Sequence, residues 1–342
     1  MASSFWLGIG IISVGGAFNG TFALPMKYSR QWRWENTWLL FSLFSLLILP
    51  WMLAISFVPN LWAVYASTPS RVLFVPLGFG LLLGIAQVTY GLGIVSVGIA
   101  VAIAVVSGVS CVSGALVPLI LLHAADLLRP QGVLLLVGML ILIIGLVLYG
   151  VAGHRREGEQ MGAIPRAKAF PWGFGTGLAI CIFTGILGSS INLGFSFSGE
   201  IIRNSIQRGG NSATSTYAVW ALLFGASFIP NLIYCSFLLF RNHGWSLFLG
   251  DGKAKETTLC IGMALLSFGG FIGYGMGATV IGKYGTSVGW VLFVAATIIV
   301  SSLAGLMIGE WKGTSRVTHR LLFAAVAIIL VSVVTLDLGG LF

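Results

Sequence analysis

The chain has 342 residues, of which 57% are hydrophobic and 8% are charged, and its mean hydropathy is +1.01. Soluble domains carry about 25% charged residues, so this composition excludes a water-soluble globular protein. The 18 Lys and Arg residues outnumber the nine Asp and Glu residues, so the net charge is +9. The basic residues lie between apolar runs and form no dense basic tract. This distribution argues against a nucleic-acid partner.

Ten apolar runs follow one another along the chain. Each offers roughly the 20 residues that a membrane-spanning helix needs, and none alternates in the manner of a membrane β-barrel strand. The runs cover residues 5–24, 37–57, 71–95, 97–122, 131–151, 172–197, 215–240, 257–281, 285–308 and 318–336. We therefore predict an all-α integral membrane protein with ten transmembrane helices.

The charges of the loops predict the orientation of these helices. If the chain starts outside the cell, 13 of the 18 Lys and Arg residues fall on the cytoplasmic side, where such residues are enriched. The first run has no basic residue before it and is followed by Lys27, which favours a retained helix over a signal peptide. We predict a multi-pass protein of the inner (plasma) membrane with both termini external, that is, periplasmic.

Tryptophans at or near the predicted helix ends are interpreted as an interfacial belt, since indole rings favour the headgroup layer. They are Trp32, Trp34, Trp38, Trp62, Trp172, Trp245 and Trp311.

The most polar internal stretch, residues 152–170, separates five apolar runs from five. We predict a first five-helix repeat at residues 1–151, a cytoplasmic linker at 152–171 and a second five-helix repeat at 172–342. Because each repeat has an odd number of helices, the two are inverted relative to each other. The sequences at 90–93 (YGLG) and 274–277 (YGMG) lie in matching helices of the two halves. Many secondary transporters bind their substrate between inverted repeats.

Polar side chains inside the apolar runs are the candidates for a binding site, because buried amides in lipid require partners. Amides donate to and accept from hydroxyl groups, and aromatic faces cover apolar C–H surface, so the pattern indicates an uncharged polyhydroxylated solute. The predicted substrate-binding residues are Asn19, Gln87, Tyr90, Asn192, Asn231, Tyr274 and Trp290. Hydrogen bonding between helices is the alternative interpretation for each.

Several segments carry motifs that are specific in combination. They are residues 22–27 (FALPMK), 32–38 (WRWENTW), 49–51 (LPW), 90–92 (YGL), 98–104 (GIAVAIA) and 309–312 (GEWK). Together they resemble the L-rhamnose–proton symporter family, within the drug/metabolite transporter superfamily, over nearly the whole chain. The resemblance implies ten helices in two inverted five-helix repeats, external termini and uptake of a deoxy-sugar driven by protons.

Proton coupling needs a titratable group, and none of the nine Asp and Glu residues lies clearly in the middle of a predicted helix. Glu35 is the coupling candidate, because it matches the family's Trp-x-Trp-Glu pattern at the start of the second helix. The alternative is that Glu35 pairs with Arg33 or a nearby Lys and only anchors the loop. The cysteines and histidines show no metal-ligand pattern, so no metal or cofactor is predicted.

The sequence thus predicts a secondary active transporter that imports a small neutral sugar, L-rhamnose or a related deoxy-sugar, with protons by alternating access. The alternative is a carrier of the same fold for another sugar or metabolite, uncoupled or coupled to a different ion. An enzyme is disfavoured, because the chain has no His-Glu-x-x-His motif, no paired intramembrane aspartates and no Ser/His arrangement. The expected partners are the sugar, protons and the lipid bilayer.

Overall fold

The computed structural model describes residues 2–97, 99–126, 129–161 and 173–341. Within these ranges ten helical segments are long and apolar enough to cross a membrane, and no β-strand occurs. We number them spans 1 to 10: Phe5–Tyr28, Trp34–Phe57, Ser70–Ile94, Val101–Leu122, Gly132–Gln160, Gly175–Gln207, Thr216–Arg241, Lys253–Ile281, Gly285–Met307 and Arg316–Leu336. The prediction of an all-α multi-pass membrane protein is confirmed.

Seven spans lie in single continuous α-helices, in which most backbone groups find their partners within the helix, as lipid requires. These helices are Ser70–Val97, Ile99–His123, Pro130–Met161, Thr216–Arg241, Lys253–Ile281, Gly285–Met307 and Arg316–Leu341. A short helix, Leu61–Ser67, connects spans 2 and 3.

Spans 1, 2 and 6 are interrupted. Span 1 consists of the α-helix Ala2–Thr21 and the 3₁₀ turn Leu24–Tyr28. Span 2 consists of Trp34–Ser42, the π-helical turn Leu43–Ile48 and Leu49–Phe57. Span 6 consists of three α-helices, Gly173–Gly188, Ser190–Ser196 and Gly199–Gln207.

The helix of span 5 is longer than its apolar run. It continues to Met161, so the first part of the predicted linker, residues 152–161, is helical. Arg155 and Glu159 are good helix formers with opposite charges four positions apart, which favours this extension. The rest of the predicted linker, residues 162–171, lies outside the described residues.

Most of the packing joins the first five spans to the last five. Span 1 lies against spans 8 and 9, span 6 against spans 3 and 4, span 7 against spans 2 and 3, and span 5 against span 10. Glycines line these contacts: a β-carbon added to Gly15 would lie 2.6 Å from the carbonyl oxygen of Gly270. Small residues therefore bring the backbones of the two halves close together.

The predicted tryptophan belt is only partly present. Trp34, Trp62 and Trp245 are 39%, 64% and 41% exposed, as an interfacial position requires. The prediction is wrong for Trp32 and Trp311, which are buried, and stays a prediction for Trp38, which is partly exposed. Two of their indole N–H groups have internal acceptors, the carbonyl of Leu247 for Trp32 and the side chain of Asn231 for Trp38. Trp311 is buried beneath the guanidinium of Arg156, 4.9 Å from the ring centre. Trp172 lies outside the described residues.

Candidate functional site

Asn231 is the centre of a hydrogen-bonded group that we call the amide cluster, made of Trp38, Gln87 and Asn231. The Asn231 Nδ2 donates to Gln87 Oε1 at 2.5 Å and to the carbonyl of Ser227 at 2.9 Å. Its Oδ1 accepts from Trp38 Nε1 at 3.0 Å. Asn231 is 1% exposed, whereas Trp38 and Gln87 are partly exposed. The amide cluster joins spans 2, 3 and 7, and part of the surface of Trp38 and Gln87 is accessible.

A second group, the tyrosine cluster, consists of Asn192, Tyr274 and Trp290. The Tyr274 hydroxyl donates to Asn192 Oδ1. The Asn192 Nδ2 donates to the carbonyls of Gly114, at 2.7 Å, and Thr286, at 3.1 Å. All three members of the cluster are buried, with exposures of 5% or less. The tyrosine cluster joins spans 4, 6, 8 and 9, and its hydrogen-bonding groups are occupied by protein partners.

Aromatic rings fill the space beside the tyrosine cluster. Trp220 is fully buried and stacks on Phe195, with ring centres 4.6 Å apart. Tyr274 lies 5.7 Å from Phe195 and 5.5 Å from Trp290. Such close ring packing contributes beyond simple burial and leaves no room for a solute among these residues.

Asn19 and Tyr90 belong to neither cluster. Asn19 Nδ2 donates to Thr297 Oγ1 at 3.4 Å, which links spans 1 and 9. Tyr90 is partly exposed and follows Gln87 by one helical turn, on the same face of span 3. The seven predicted residues therefore lie in two separate clusters and at two further positions, and the structure does not bring them into one pocket.

The two clusters lie toward opposite faces of the membrane. Trp38 lies about one turn from the start of the span 2 helix at Trp34, and Trp290 lies five residues from the start of the span 9 helix at Gly285. Six spans, an even number, lie between spans 2 and 9, so these two spans cross the membrane in opposite directions. The orientation predicted from loop charge places the amide cluster on the cytoplasmic half and the tyrosine cluster on the external half.

Glu35 lies at the start of span 2 and is 6% exposed. Its Oε1 accepts from Asn242 Nδ2 at 2.9 Å, while the Arg33 guanidinium donates to the backbone carbonyl of Asn242. Glu35 therefore links the start of span 2 to the residue that follows span 7. It precedes Trp38 by three positions, so the carboxylate and the amide cluster occupy neighbouring turns of one helix face.

Sequence reasoning missed two polar contacts. Trp38 was assigned to the interface because it stands at the start of an apolar run, as Trp34 does, and local sequence does not distinguish the two. Thr184 Oγ1 donates to Thr89 Oγ1 at 2.8 Å between spans 6 and 3. A hydroxyl pair of this kind leaves no spacing signal in the sequence.

Four cavities between the described residues are apolar surface grooves of about 370, 800, 530 and 650 Å³. None of these four is lined by a predicted site residue. In the described part of the chain, no three His, Cys, Asp or Glu side chains are grouped so that they could hold a metal ion. The amide cluster offers neutral donors, acceptors and an indole ring, which suit a solute rich in hydroxyl groups.

Comparison with known proteins assigns the chain to a family. The family model described as L-rhamnose-proton symport protein (RhaT) matches residues 1–340. An L-rhamnose-proton symporter of Pectobacterium atrosepticum is 27% identical over 99% of both chains. Proteins of the same name from Yersinia pestis and Escherichia coli O9:H4 are 25% and 26% identical, again over 99% of both chains. This is a family of transporters and not of enzymes, and the chain described here belongs to the L-rhamnose-proton symport protein family.

Proposed function

We propose that this protein imports a small neutral sugar, L-rhamnose or a related deoxy-sugar, together with protons across the inner membrane. Family membership over the whole chain supports sugar–proton symport. The observation that carries the choice of solute is the amide cluster, in which two amides and an indole lie together with part of their surface accessible. The amide cluster contains no charged side chain, and a neutral solute requires none.

We further propose that spans 1–5 and spans 6–10 are inverted repeats. Equivalent glycine contacts support this arrangement. A β-carbon added to Gly8 would lie 2.6 Å from Ile281, and one added to Gly177 would lie 2.7 Å from Val97. Val97 and Ile281 are separated by the same number of residues as Tyr90 and Tyr274, the first residues of the two matching motifs.

A second pair of contacts has the same two offsets in residue number. A β-carbon on Gly16 would lie 2.9 Å from the carbonyl oxygen of Phe293, and one on Gly185 would lie 2.6 Å from Val109 Cβ. The offset from Gly16 to Gly185 equals that from Gly8 to Gly177, and the offset from Val109 to Phe293 equals that from Val97 to Ile281. Such regularity is expected if one half of the bundle repeats the other.

In this proposal the tyrosine cluster is a closed external gate. Asn192 lies in the short middle helix of span 6 and bonds to the backbones of spans 4 and 9. Breaking the hydrogen bonds of Asn192 would free the middle helix of span 6 from spans 4, 8 and 9 at once. The partly exposed amide cluster lies on the opposite half, which is then the side open to the cytoplasm. In alternating access, the external side opens when the cytoplasmic side closes.

Transport by the purified protein tests this function. In proteoliposomes with an imposed inward proton gradient, we expect uphill accumulation of L-rhamnose that collapses when a protonophore is added. Accumulation of a different sugar, or sugar uptake that does not respond to the gradient, would support the alternative of a same-fold carrier with another substrate or coupling ion.

Alanine substitutions in the amide cluster test the site. One hydrogen bond contributes about 0.5–1.5 kcal/mol, so Gln87→Ala should weaken sugar affinity by about two- to tenfold. Asn231→Ala should have the larger effect, because it also removes the partner of Trp38 Nε1. Thr335→Ala is the control, since the Thr335 hydroxyl bonds only within its own helix, to Val331. Unchanged affinity in folded Gln87→Ala and Asn231→Ala proteins would mean that the amide cluster is structural.

The coupling role of Glu35 is tested by comparing two transport modes. If Glu35 carries the proton, Glu35→Gln should abolish uphill uptake and leave counterflow exchange largely intact. Asn242→Ala removes the hydrogen-bond partner of Glu35 but keeps the carboxyl group, so it should retain uphill uptake. If both variants lose both modes, or neither loses any, Glu35 anchors the loop and does not couple transport to protons.

A further inference from the structure

Two adjoining cavities form one continuous groove, which we call the span 4–5 groove. A cavity of about 370 Å³ and one of about 650 Å³ share Ala104, Val105 and Val147 as lining residues. The first cavity ends at His154 and Arg155, and the second extends along span 4 to Ile120. The groove is therefore apolar along its length and basic at one end.

Small side chains leave this groove open. Gly108 lies on its floor, and a β-carbon added there would meet only Leu146 Cδ1, at 3.7 Å. Val147 is 60% exposed and Val151 is 43% exposed, although both lie within a membrane span. These side chains are therefore accessible to lipid molecules beside the protein.

The groove is at least as long as one leaflet of a bilayer, and on span 4 its lining runs from Val101 to Ile120, about 28 Å. Ile143 and His154 line its two parts on the helix of span 5. With a rise of about 1.5 Å per residue, these positions are about 17 Å apart. The hydrocarbon core is about 30 Å thick, so this stretch spans slightly more than half of it.

The basic end is suited to a phosphate group. His154 and Arg155 are exposed, and an Arg guanidinium binds phosphate oxygens in a bidentate manner. Glu159, one turn after Arg155 on this helix, accepts from the backbone N–H and hydroxyl of Ser315, at 2.6 and 2.7 Å. Basic sites between spans on the cytoplasmic side are suited to anionic lipid headgroups.

We propose that the span 4–5 groove binds one anionic phospholipid, with an acyl chain along Val147 and Gly108 and the phosphate beside His154 and Arg155. The apolar length and the basic end each match a part of that molecule. A zwitterionic phospholipid has the same phosphate but also a cationic group that the basic end would repel, so the basic end favours a lipid with net negative charge. A second copy of this chain would match only the apolar wall.

Lipid titration of the full-length, delipidated protein tests the headgroup. Native mass spectrometry would measure binding of phosphatidylglycerol and phosphatidylcholine with identical acyl chains. A basic residue contributes about 1 kcal/mol to anionic lipid binding, so the first phosphatidylglycerol should bind about fivefold more tightly than phosphatidylcholine. Arg155→Gln should reduce this preference toward one and leave phosphatidylcholine binding unchanged.

A matched pair of glycine substitutions tests the location. Gly108→Leu should fill the span 4–5 groove and weaken the binding of both lipids. Gly78→Leu is the control, because Gly78 lies in the groove of spans 2, 3 and 7 and has no atom near its added β-carbon within 4 Å. Three results would overturn the proposal: equal affinity for the two lipids or a preference that survives Arg155→Gln, lipid binding that is unchanged in Gly108→Leu, or a bound second copy of the chain in place of lipid. Sugar transport is not measured in these experiments, so their failure would leave the proposed function untouched.

Discussion

Tyr274 and Asn192 show how two residues that look like substrate ligands can instead be bonded to other parts of the protein. Both side chains are buried, and their polar atoms bond to each other and to backbone carbonyls. A solute could reach them only after these bonds break. In the arrangement described here, the two residues stabilise the contact between spans 6 and 8.

Removing the Tyr274 hydroxyl tests this role. Tyr274→Phe keeps the ring but leaves Asn192 Oδ1 without its donor in a buried site, which costs about 1–3 kcal/mol. We expect a lower midpoint of thermal unfolding in detergent and faster reaction of buried Cys111, on span 4, with a thiol reagent. Tyr28→Phe is the control because Tyr28 is 60% exposed. Equal stability and equal thiol reactivity of the two variants would contradict a gating role for Tyr274.

The sequence predicted individual polar residues better than it predicted their grouping. Asn231 and Gln87 were identifiable because an amide inside a hydrophobic helix needs a partner, and they are partners. The separation of Asn192 and Tyr274 from that pair could not be predicted. It depends on which helix faces meet across the two halves, and a single sequence does not contain that information.

At the scale of the helices, glycine has two different uses that the sequence does not separate. Gly84 lies where span 3 crosses span 7: a β-carbon there would be 2.5 Å from the carbonyl oxygen of Ser227 and 2.8 Å from the ring of Pro230. Gly78 lies two turns earlier on the same helix and faces open space. Close approach to span 7 therefore requires glycine at position 84 and not at position 78.

A matched pair of methyl additions distinguishes these two uses. Gly84→Ala should destabilise the protein by about 1–3 kcal/mol, as overpacking of a close contact does. Gly78→Ala should leave stability unchanged or slightly raised, because Ala is the better helix former. Denaturation of both variants in mixed micelles would measure the difference. Similar stabilities would show that spans 3 and 7 shift easily to accommodate the methyl group.

For the whole molecule, the number and type of spans followed from hydrophobicity, since ten apolar runs correspond to ten spans. Interruptions within spans 1, 2 and 6 did not follow, because residues such as Leu43–Ile48 are as apolar as their helical neighbours. The π-helical turn Leu43–Ile48 packs against spans 7 and 8, contacts that the local sequence does not reveal.

The predicted orientation is open to a direct test. Gly158 is exposed and has no atom near its added β-carbon within 4 Å, so Gly158→Cys should fold normally. On a background without native cysteines, an impermeant thiol reagent should fail to label it in intact cells and should label it in inverted vesicles. Ser212→Cys, an exposed position between spans 6 and 7, should show the reverse. Labelling of Gly158→Cys in intact cells would place the termini inside.

The pairing of early spans with late ones has a consequence for biosynthesis. Span 1 packs against spans 8 and 9, and span 5 packs against span 10. Translation delivers the first five helices to the membrane before those partners exist, so the faces that pack against spans 8, 9 and 10 are at first exposed to lipid. Helices in a bilayer are individually stable before they associate. The first five helices can therefore remain inserted in the membrane until the later spans are synthesised. In a chain truncated before span 8, span 1 would never gain its packing partners. We expect cellular quality control to degrade such a chain as an incompletely assembled membrane protein.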